Sequence, residues 1–143
     1  LYETGWMHNR LRMVTGSFLV KHLRINWIEG EKYFKDTLLD YDTANNVAGW
    51  QWIAGCGADA APYFRIFNPM TQGEKFDADG NFVKKWIPAL KNVPKKFIHK
   101  PWELPGDISQ KINFNLKRDY FEPIVDHAKA RIEALKAFEF TKK

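Results

Sequence analysis

The sequence predicts an all-α protein. Apolar residues recur at intervals of three and four in several segments, which is the spacing of one face of a helix. Strict alternation of apolar and polar residues, which is typical of half-buried strands, is nearly absent. Residues that favour helix N-caps precede two of the periodic segments, at Asp42 and Asp126. The 143 residues suffice for one domain with a sizeable core.

The first predicted helix covers residues 6–22. Its apolar stripe, which we expect to face the core, follows helical spacing. The stripe consists of Met7, Leu11, Val14 and Phe18. The roughly opposite side consists of Asn9, Arg12, Met13 and Gly16. This side combines a glycine, a flexible apolar methionine and two hydrogen-bonding side chains. Such a combination is unusual for a helix face that is exposed only to solvent.

Two further helices are predicted before residue 55. One covers residues 30–41, and its inward positions are Phe34, Thr37, Leu38 and Tyr41. The next begins after Asp42, a favourable N-cap, and ends near residue 54, because the Gly-Cys-Gly sequence that follows breaks helices.

The rest of the chain predicts short helices and one long connection. Residues 62–69 are aromatic and loop-like, and short helices are expected over 69–76 and 81–90. Prolines between residues 88 and 105 predict an irregular connection. Residues 126–140 predict a terminal helix with an aspartate cap.

Composition excludes several classes of protein. With 45% hydrophobic and 27% charged residues, the chain as a whole is not intrinsically disordered. Cys56 is the one cysteine, so an intramolecular disulfide framework and a cysteine-based zinc site are excluded. The four histidines lack zinc-ligand spacing, and we expect no metal site. No apolar run approaches the ~18–20 residues of a membrane span, so we expect no membrane partner.

The net charge of +5 comes entirely from residues 73–143. Residues 80–100 contain six lysines and no acidic residue. Two interpretations stay open for this lysine-rich segment: a solvated face, or an electrostatic footprint for phosphates.

The segment from residue 40 to residue 52 is the most informative for function. On a helix capped by Asp42, Asn46 and Trp50 lie one turn apart on the same face, whereas Trp52 is rotated by about 200° from Trp50. The two indoles should therefore serve different surfaces. A buried Asn beside a buried Trp needs a hydrogen-bond partner. That partner is either a polar aromatic ligand, such as a cofactor ring, or the backbone within an ordinary core.

Several ordered motifs resemble one known family over essentially the whole chain. They are Trp-Met-His-Asn-Arg-Leu-Arg-Met at 6–13, Asn26-Trp27-x-x-Gly30-Glu31-x-x-Phe34, the 40–52 segment, Asp-Ala-Ala-Pro-Tyr-Phe-Arg-Ile-Phe-Asn-Pro at 59–69, and Gln72. Together they resemble the C-terminal half of the FAD-binding helical domain of DNA photolyases and cryptochromes. The residue types at Asn9 and Asn46 are similar to those of the branch that repairs cyclobutane pyrimidine dimers.

The resemblance implies roles for individual residues. The residues implied to contact the flavin are Arg12, Asp40, Tyr41, Asp42 and Asn46, with Arg12 paired to Asp40 and Asn46 at the flavin N5. The implied electron-transfer residues are Trp27 and Trp50. Those implied to contact damaged DNA are Asn9, Arg10, Met13, Trp52 and Gln72. The polar face of the first helix would then line the cofactor cavity.

The implied reaction is light-driven DNA repair, in which reduced FAD donates an electron to the pyrimidine dimer. We expect residues 1–143 to be a partial FAD-binding domain, with the antenna domain, its second chromophore and the FAD phosphate loop outside this chain. A monomeric cytoplasmic protein, associated with the nucleoid if bacterial, is the expected setting. The alternatives are a cryptochrome-type blue-light photoreceptor and a non-catalytic helical DNA-binding module.

Overall fold

The computed structural model describes residues 1–60 and 65–140 and contains no β-strand in those ranges. The α-helices, in chain order, are α1 (Asn9–Ser17), α2 (Trp27–Thr37), α3 (Thr43–Ala54), α4 (Pro69–Phe76), α5 (Asn81–Trp86), α6 (Gly106–Lys111), α7 (Leu116–Asp119) and α8 (His127–Phe140). A π-helix follows α1 at Phe18–His22, and two 3₁₀-helices cover Pro88–Leu90 and Pro101–Glu103. The predicted all-α class is confirmed.

The described chain forms two compact units. The first unit comprises residues 1–67 and 125–143, and the second comprises residues 68–124. Part of the loop-like segment predicted at 62–69 lies outside the described residues, which resume at Arg65. No described helix is long and apolar enough to cross a membrane.

The first helix differs from its prediction in length and in its buried face. α1 ends at Ser17 and continues as a π-helix, whose wider turn rotates the following side chains. The predicted stripe of Met7, Leu11, Val14 and Phe18 is only half-buried. The buried positions are instead Gly16, Ser17, Lys21 and His22. Gly16 is buried because α3 packs directly against its backbone.

Polar side chains at the π-helix hold other parts of the first unit. The Ser17 hydroxyl accepts a hydrogen bond from the Phe67 backbone N–H at 3.1 Å. Lys21 donates to the carbonyl oxygen of Arg65. Burial, and then the charge of Arg65, lower the pKa of Lys21 from 10.5 to about 8. A buried amine is retained here because it satisfies a specific backbone carbonyl.

Helix α8 packs on the π-helix region, and among the described residues polar side chains also join the two. Ring nitrogens of His22 (Nε2) and His127 (Nδ1) are 2.8 Å apart, and Arg24 pairs with Glu133. Asp126 caps the helix by accepting from the Lys129 backbone N–H at 3.0 Å. The helix predicted at 126–140 is therefore confirmed.

Helices α2 and α3 form the main packed pair of the first unit. α2 begins at Trp27, three residues before its predicted start, because the Asn26 side chain accepts from the Ile28 N–H at 3.1 Å. α3 matches its prediction: Asp42 accepts from the Asn45 N–H at 2.8 Å. At its other end Gly55 takes the left-handed conformation, with φ of 80°.

The second unit has an aliphatic core. Leu90, Val93 and Ile98 are each 1% exposed, and Phe114 is 8% exposed. The first three lie within the 88–105 connection, which is irregular apart from its two 3₁₀-helices, as predicted. The helix at 69–76 is confirmed, whereas the one expected over 81–90 ends at Trp86. Helices α6 and α7 were missed because each has only one or two turns, too few for a periodic signal.

Candidate functional site

A cavity of about 370 Å³ lies in the first unit. Its volume falls in the range of ligand pockets, roughly 300–1,000 Å³. All five predicted flavin contacts line it: Arg12, Asp40, Tyr41, Asp42 and Asn46. Asn9, Met13, Trp50 and Trp52 also line it. The polar face of α1 therefore borders a cavity, which explains its unusual composition.

An ion pair spans one wall of the cavity. Arg12 Nη2 donates to both carboxylate oxygens of Asp40, at 2.9 and 2.8 Å. Arg12 Nε donates to the carbonyl oxygen of Met7 at 2.7 Å, so the guanidinium is fixed at both ends. The Arg12 side chain is 24% exposed and that of Asp40 is 53% exposed. Water therefore screens the positive charge less than the negative one.

The amide of Asn46 is oriented by helix α2. Its Nδ2 donates to the backbone oxygen and to the Oε1 of Glu31, both at 3.1 Å. Since Glu31 offers only acceptors to this amide, the nitrogen must face Glu31. Among the described residues, Oδ1 of Asn46 has no hydrogen-bond donor. The backbone interpretation of Asn46 is thus correct for the nitrogen, and the carbonyl oxygen is left as an acceptor at the cavity.

Trp50 is inserted tightly between helices. It is 3% exposed and meets the ring of Phe34 edge-on, with centroids 5.1 Å apart. A Cβ atom on Gly30 would lie 2.1 Å from its Cη2, so the indole occupies space that only glycine leaves open. Its Nε1 is buried with no partner among the described residues. Trp27 is half-buried and packs against the same cluster of Phe34, Leu38 and Trp50.

Trp52 corrects one expectation. It is half-buried where Trp50 is buried, yet both indoles contribute to the wall of the same cavity. Helical phase alone did not separate them because the cavity wraps around α3 from Asp42 to Ile53. The indoles of Trp50 and Trp52 therefore both line the cavity, although the two side chains leave α3 in different directions.

The other residues predicted to contact FAD or DNA lie in both units of the chain. The Asp42 carboxylate caps α3 through one oxygen. Asn9 Nδ2 lies 3.9 Å from the sulfur of Met13, one turn along α1. Arg10 follows the N-cap of α1 but does not line the cavity, and Gln72 lies on α4 in the second unit.

Glu31 has no role predicted from the sequence, yet in the structure it accepts hydrogen bonds from two residues that line the cavity. Besides holding Asn46, its Oε1 accepts from the Tyr41 hydroxyl at 3.4 Å. The available signal was its position, four residues after Trp27 and three before Phe34, which puts an acid on the inward stripe of α2. An acid on an inward face needs partners. Asn46 and Tyr41 are those partners.

The lysine-rich segment lies in the second unit and is partly neutralised. Lys95 pairs with Asp79 at 3.4 Å, and Lys100 pairs with Glu74 at 2.9 Å. The hydrogen bond that Lys100 donates to Glu74 raises the pKa of Lys100.

Comparison with known proteins identifies the family. The family described as the FAD binding domain of DNA photolyase matches residues 1–140. The chain belongs to this photolyase family. Over its 143 residues it is 56% identical to the deoxyribodipyrimidine photo-lyase of Escherichia coli (strain K12), of which it covers 29%.

Two solved structures of the photolyase family share the fold. A bacterial class III photolyase from Agrobacterium tumefaciens superposes with a TM-score of 0.90 at 56% identity, over 96% of this chain and 29% of that one. A cryptochrome of Synechocystis sp. PCC6803 superposes with a TM-score of 0.86 at 38% identity, over 93% of this chain and 27% of that one. The chain thus spans less than a third of the length of each of these relatives.

The residues around the cavity fit the flavin of FAD, the cofactor of this photolyase domain. A flavin ring is planar and offers ring N–H groups and carbonyl oxygens. Asn46 supplies a free carbonyl acceptor, and Trp50, another lining residue, has an indole N–H without a partner. Arg12 supplies a positive charge fixed by two further contacts. Such a set suits a polar aromatic ring better than an apolar ligand.

Proposed function

We propose that this chain forms the C-terminal part of the helical domain of a light-driven DNA repair enzyme that splits cyclobutane pyrimidine dimers. The family, and relatives named as photo-lyases at 56% identity, support this proposal. Asn9 and Asn46 support the dimer-repair branch through the resemblance given above. The substrate is DNA that contains a pyrimidine dimer.

The orientation of Asn46 carries the proposal. When bound in reduced form, FAD supplies the light-absorbing electron donor of the reaction. Asn46 Oδ1, left free because Glu31 holds the nitrogen, would accept a hydrogen bond from a ring N–H of the bound flavin. Arg12, paired with Asp40, would hold the ring on the same wall of the cavity. Tyr41 and Asp42 complete this wall.

The remaining roles are electron transfer and contact with the DNA lesion. Trp50 and Trp27, which belong to one packed cluster, relay electrons toward the cofactor. Trp52 stacks on the dimer once it leaves the DNA helix, and extrusion costs less for a lesion that already weakens stacking. Asn9, Arg10, Met13 and Gln72 contact the lesion or its backbone.

The proposal extends to the protein that contains this chain. The phosphate loop for FAD and an antenna domain with a second chromophore are assigned to segments outside residues 1–143. The protein acts as a monomer in the cytoplasm, at the nucleoid if bacterial.

A blue-light photoreceptor is the second candidate, because the Synechocystis cryptochrome shares the fold at 38% identity. The two candidates differ in one measurable property. The repair enzyme restores dimer-containing DNA under blue light when its flavin is reduced, and a photoreceptor without repair leaves the dimers intact.

Substitution of single tryptophans tests the assigned roles in the FAD-loaded protein. Phe is oxidised much less readily than Trp, so Trp50→Phe or Trp27→Phe should slow photoreduction of oxidised FAD and leave repair by chemically reduced protein intact. Trp52→Ala should leave photoreduction intact and weaken binding to dimer-containing DNA by about 1–3 kcal/mol, the contribution of one base–aromatic stack. Trp86→Phe, an exposed tryptophan of the second unit, is the control and should change neither property.

The reverse pattern would contradict these assignments. If Trp52→Ala blocked photoreduction and Trp50→Phe weakened DNA binding, the roles of the two indoles would have to be exchanged.

A further inference from the structure

The ring of His99 lies directly against the backbone of helix α4. A Cβ atom on Gly73 would be 2.4 Å from Nδ1 of His99 and under 3.0 Å from two further ring atoms. Any side chain at residue 73 would therefore displace the imidazole. Gly73 follows Gln72, the residue of α4 that we assign to DNA contact.

The other ring nitrogen of His99 holds the end of the same helix. Nε2 is 2.7 Å from the backbone oxygen of Asp77, the C-cap of α4. Because a carbonyl oxygen only accepts, Nε2 carries the proton. The Asp77 carboxylate accepts from the N–H groups of Phe82 and Val83, both at 3.0 Å, where α5 begins. One side chain thus fixes the middle and the end of α4.

A neighbouring ion pair joins the same two segments of the chain. Lys100 pairs with Glu74 at 2.9 Å, so residues 73 and 74 meet residues 99 and 100 in succession. Both charged side chains are substantially exposed, and exposed pairs contribute little free energy. His99 contacts α4 at two points, Gly73 and the Asp77 oxygen, whereas Lys100 contacts it through the exposed Glu74 side chain.

We propose that His99 is a positioning residue that sets where α4 presents Gln72 to damaged DNA. α4 has only eight residues, and a helix this short depends on tertiary contacts for its place. Gln72 moves with the Gly73 backbone on which the imidazole rests. This inference rests on the proposed DNA contact of Gln72, and it adds the residue that orients it.

A double-mutant cycle in the FAD-loaded protein tests the coupling. Gln72→Ala and His99→Ala should each weaken binding to a dimer-containing duplex by about tenfold. If His99 acts through Gln72, the double variant should also lose about tenfold, whereas independent effects would multiply to about a hundredfold. Binding to undamaged duplex should change less than twofold in all three proteins.

Further variants separate positioning from stability. Gly73→Ala should reproduce the defect of His99→Ala, because the new methyl group displaces the imidazole. His99→Gln should restore most of the affinity, since a glutamine amide can donate to the Asp77 oxygen. Glu74→Gln is the matched control, because it breaks the neighbouring ion pair without removing a positive charge, and its affinity should stay within twofold of the parent. Melting temperatures and the flavin spectrum, recorded for every variant, identify any that are unfolded.

The outcomes distinguish the proposed DNA contact of Gln72 from the proposed positioning role of His99. If Gln72→Ala leaves affinity unchanged, the proposed DNA contact fails and the positioning role fails with it. If Gln72→Ala weakens binding but the His99→Ala effect multiplies with it, only the positioning role is overturned. If His99→Ala does not fold, the same cycle with Gly73→Ala gives the decision.

Discussion

The two units of this chain are stabilised in different ways. The first unit buries Ser17, Lys21 and His22, and it contains the cavity of about 370 Å³. The second unit buries Leu90, Val93 and Ile98 almost completely. Buried polar groups are stable only in specific hydrogen-bonded arrangements, whereas aliphatic groups need only dense packing. The first unit therefore combines a core of Phe34, Leu38 and Trp50 with buried polar groups that fix specific contacts, whereas the core described for the second unit is mainly aliphatic.

The largest effect is expected from the aliphatic core. Ile98→Ala removes a side chain that is 1% exposed, so the free energy of unfolding should fall by about 2–5 kcal/mol in denaturant titrations. The matched control is Ile124→Ala, at an isoleucine that is 73% exposed, and its effect should be far smaller. The flavin spectrum of the folded Ile98→Ala protein should be unchanged. An altered spectrum would contradict the division between the units.

A smaller loss of stability, with a change at the site, is expected from Gly30→Ala. The added methyl group would meet Trp50 at 2.1 Å, and overpacking of this kind costs about 1–3 kcal/mol. Because Trp50 must shift, photoreduction of bound FAD should also slow. Gly106→Ala is the control, since nothing lies within 4 Å of a Cβ there. That variant should be neutral or more stable by up to about 1 kcal/mol.

The histidine pair of the first unit predicts a modest dependence of stability on pH. Burial, and then the charge of His127, lower the pKa of His22 below its ordinary value of 6.5. The unfolded chain therefore binds the proton first as the pH falls, and stability decreases below pH 6.5. Lys21 and Arg24 flank His22 in the sequence, and on the side of His127 the charged groups include Asp126, which caps α8, and Glu133, which pairs with Arg24.

Urea titrations at pH 7.5 and pH 5.5 measure this dependence. His22→Gln should reduce the difference between the two pH values. An identical difference in the parent and the variant would show that His22 does not titrate as described.

Local sequence signals predicted the helix boundaries better than they predicted the tertiary contacts. The N-cap at Asp42 and the break at Gly55 placed α3 correctly because each acts within a few residues. The π-helix at Phe18–His22 was not predictable from spacing, since it depends on Lys21 and His22 reaching Arg65 and His127. Tertiary hydrogen bonds of that kind leave no periodic trace.

The candidate site shows the same limit. The resemblance supplied the flavin-facing residues, and the structure brings all five to one cavity. The hydrogen bonds from Asn46 and Tyr41 to Glu31 join α2 to residues ten and fifteen positions away. A single sequence carries no signal for such a pairing beyond an acid on an inward helix face.

The central claim is that the Asn46 amide oxygen faces the flavin, and its most direct test is the reduction potential of FAD in the Asn46→Asp variant. The substitution loses the two hydrogen bonds to Glu31 and places a second carboxylate beside Glu31 Oε1, so the potential is measured at a pH high enough to ionise both, where the variant carries one more negative charge at the cavity. A reduced, negatively charged flavin becomes less favourable, so the midpoint potential should fall by at least about 30 mV, a tenfold change for a two-electron couple. Asn92→Asp, which adds the same charge in the second unit, should leave the potential unchanged. An unchanged potential in Asn46→Asp, or an equal shift in both variants, would contradict the account.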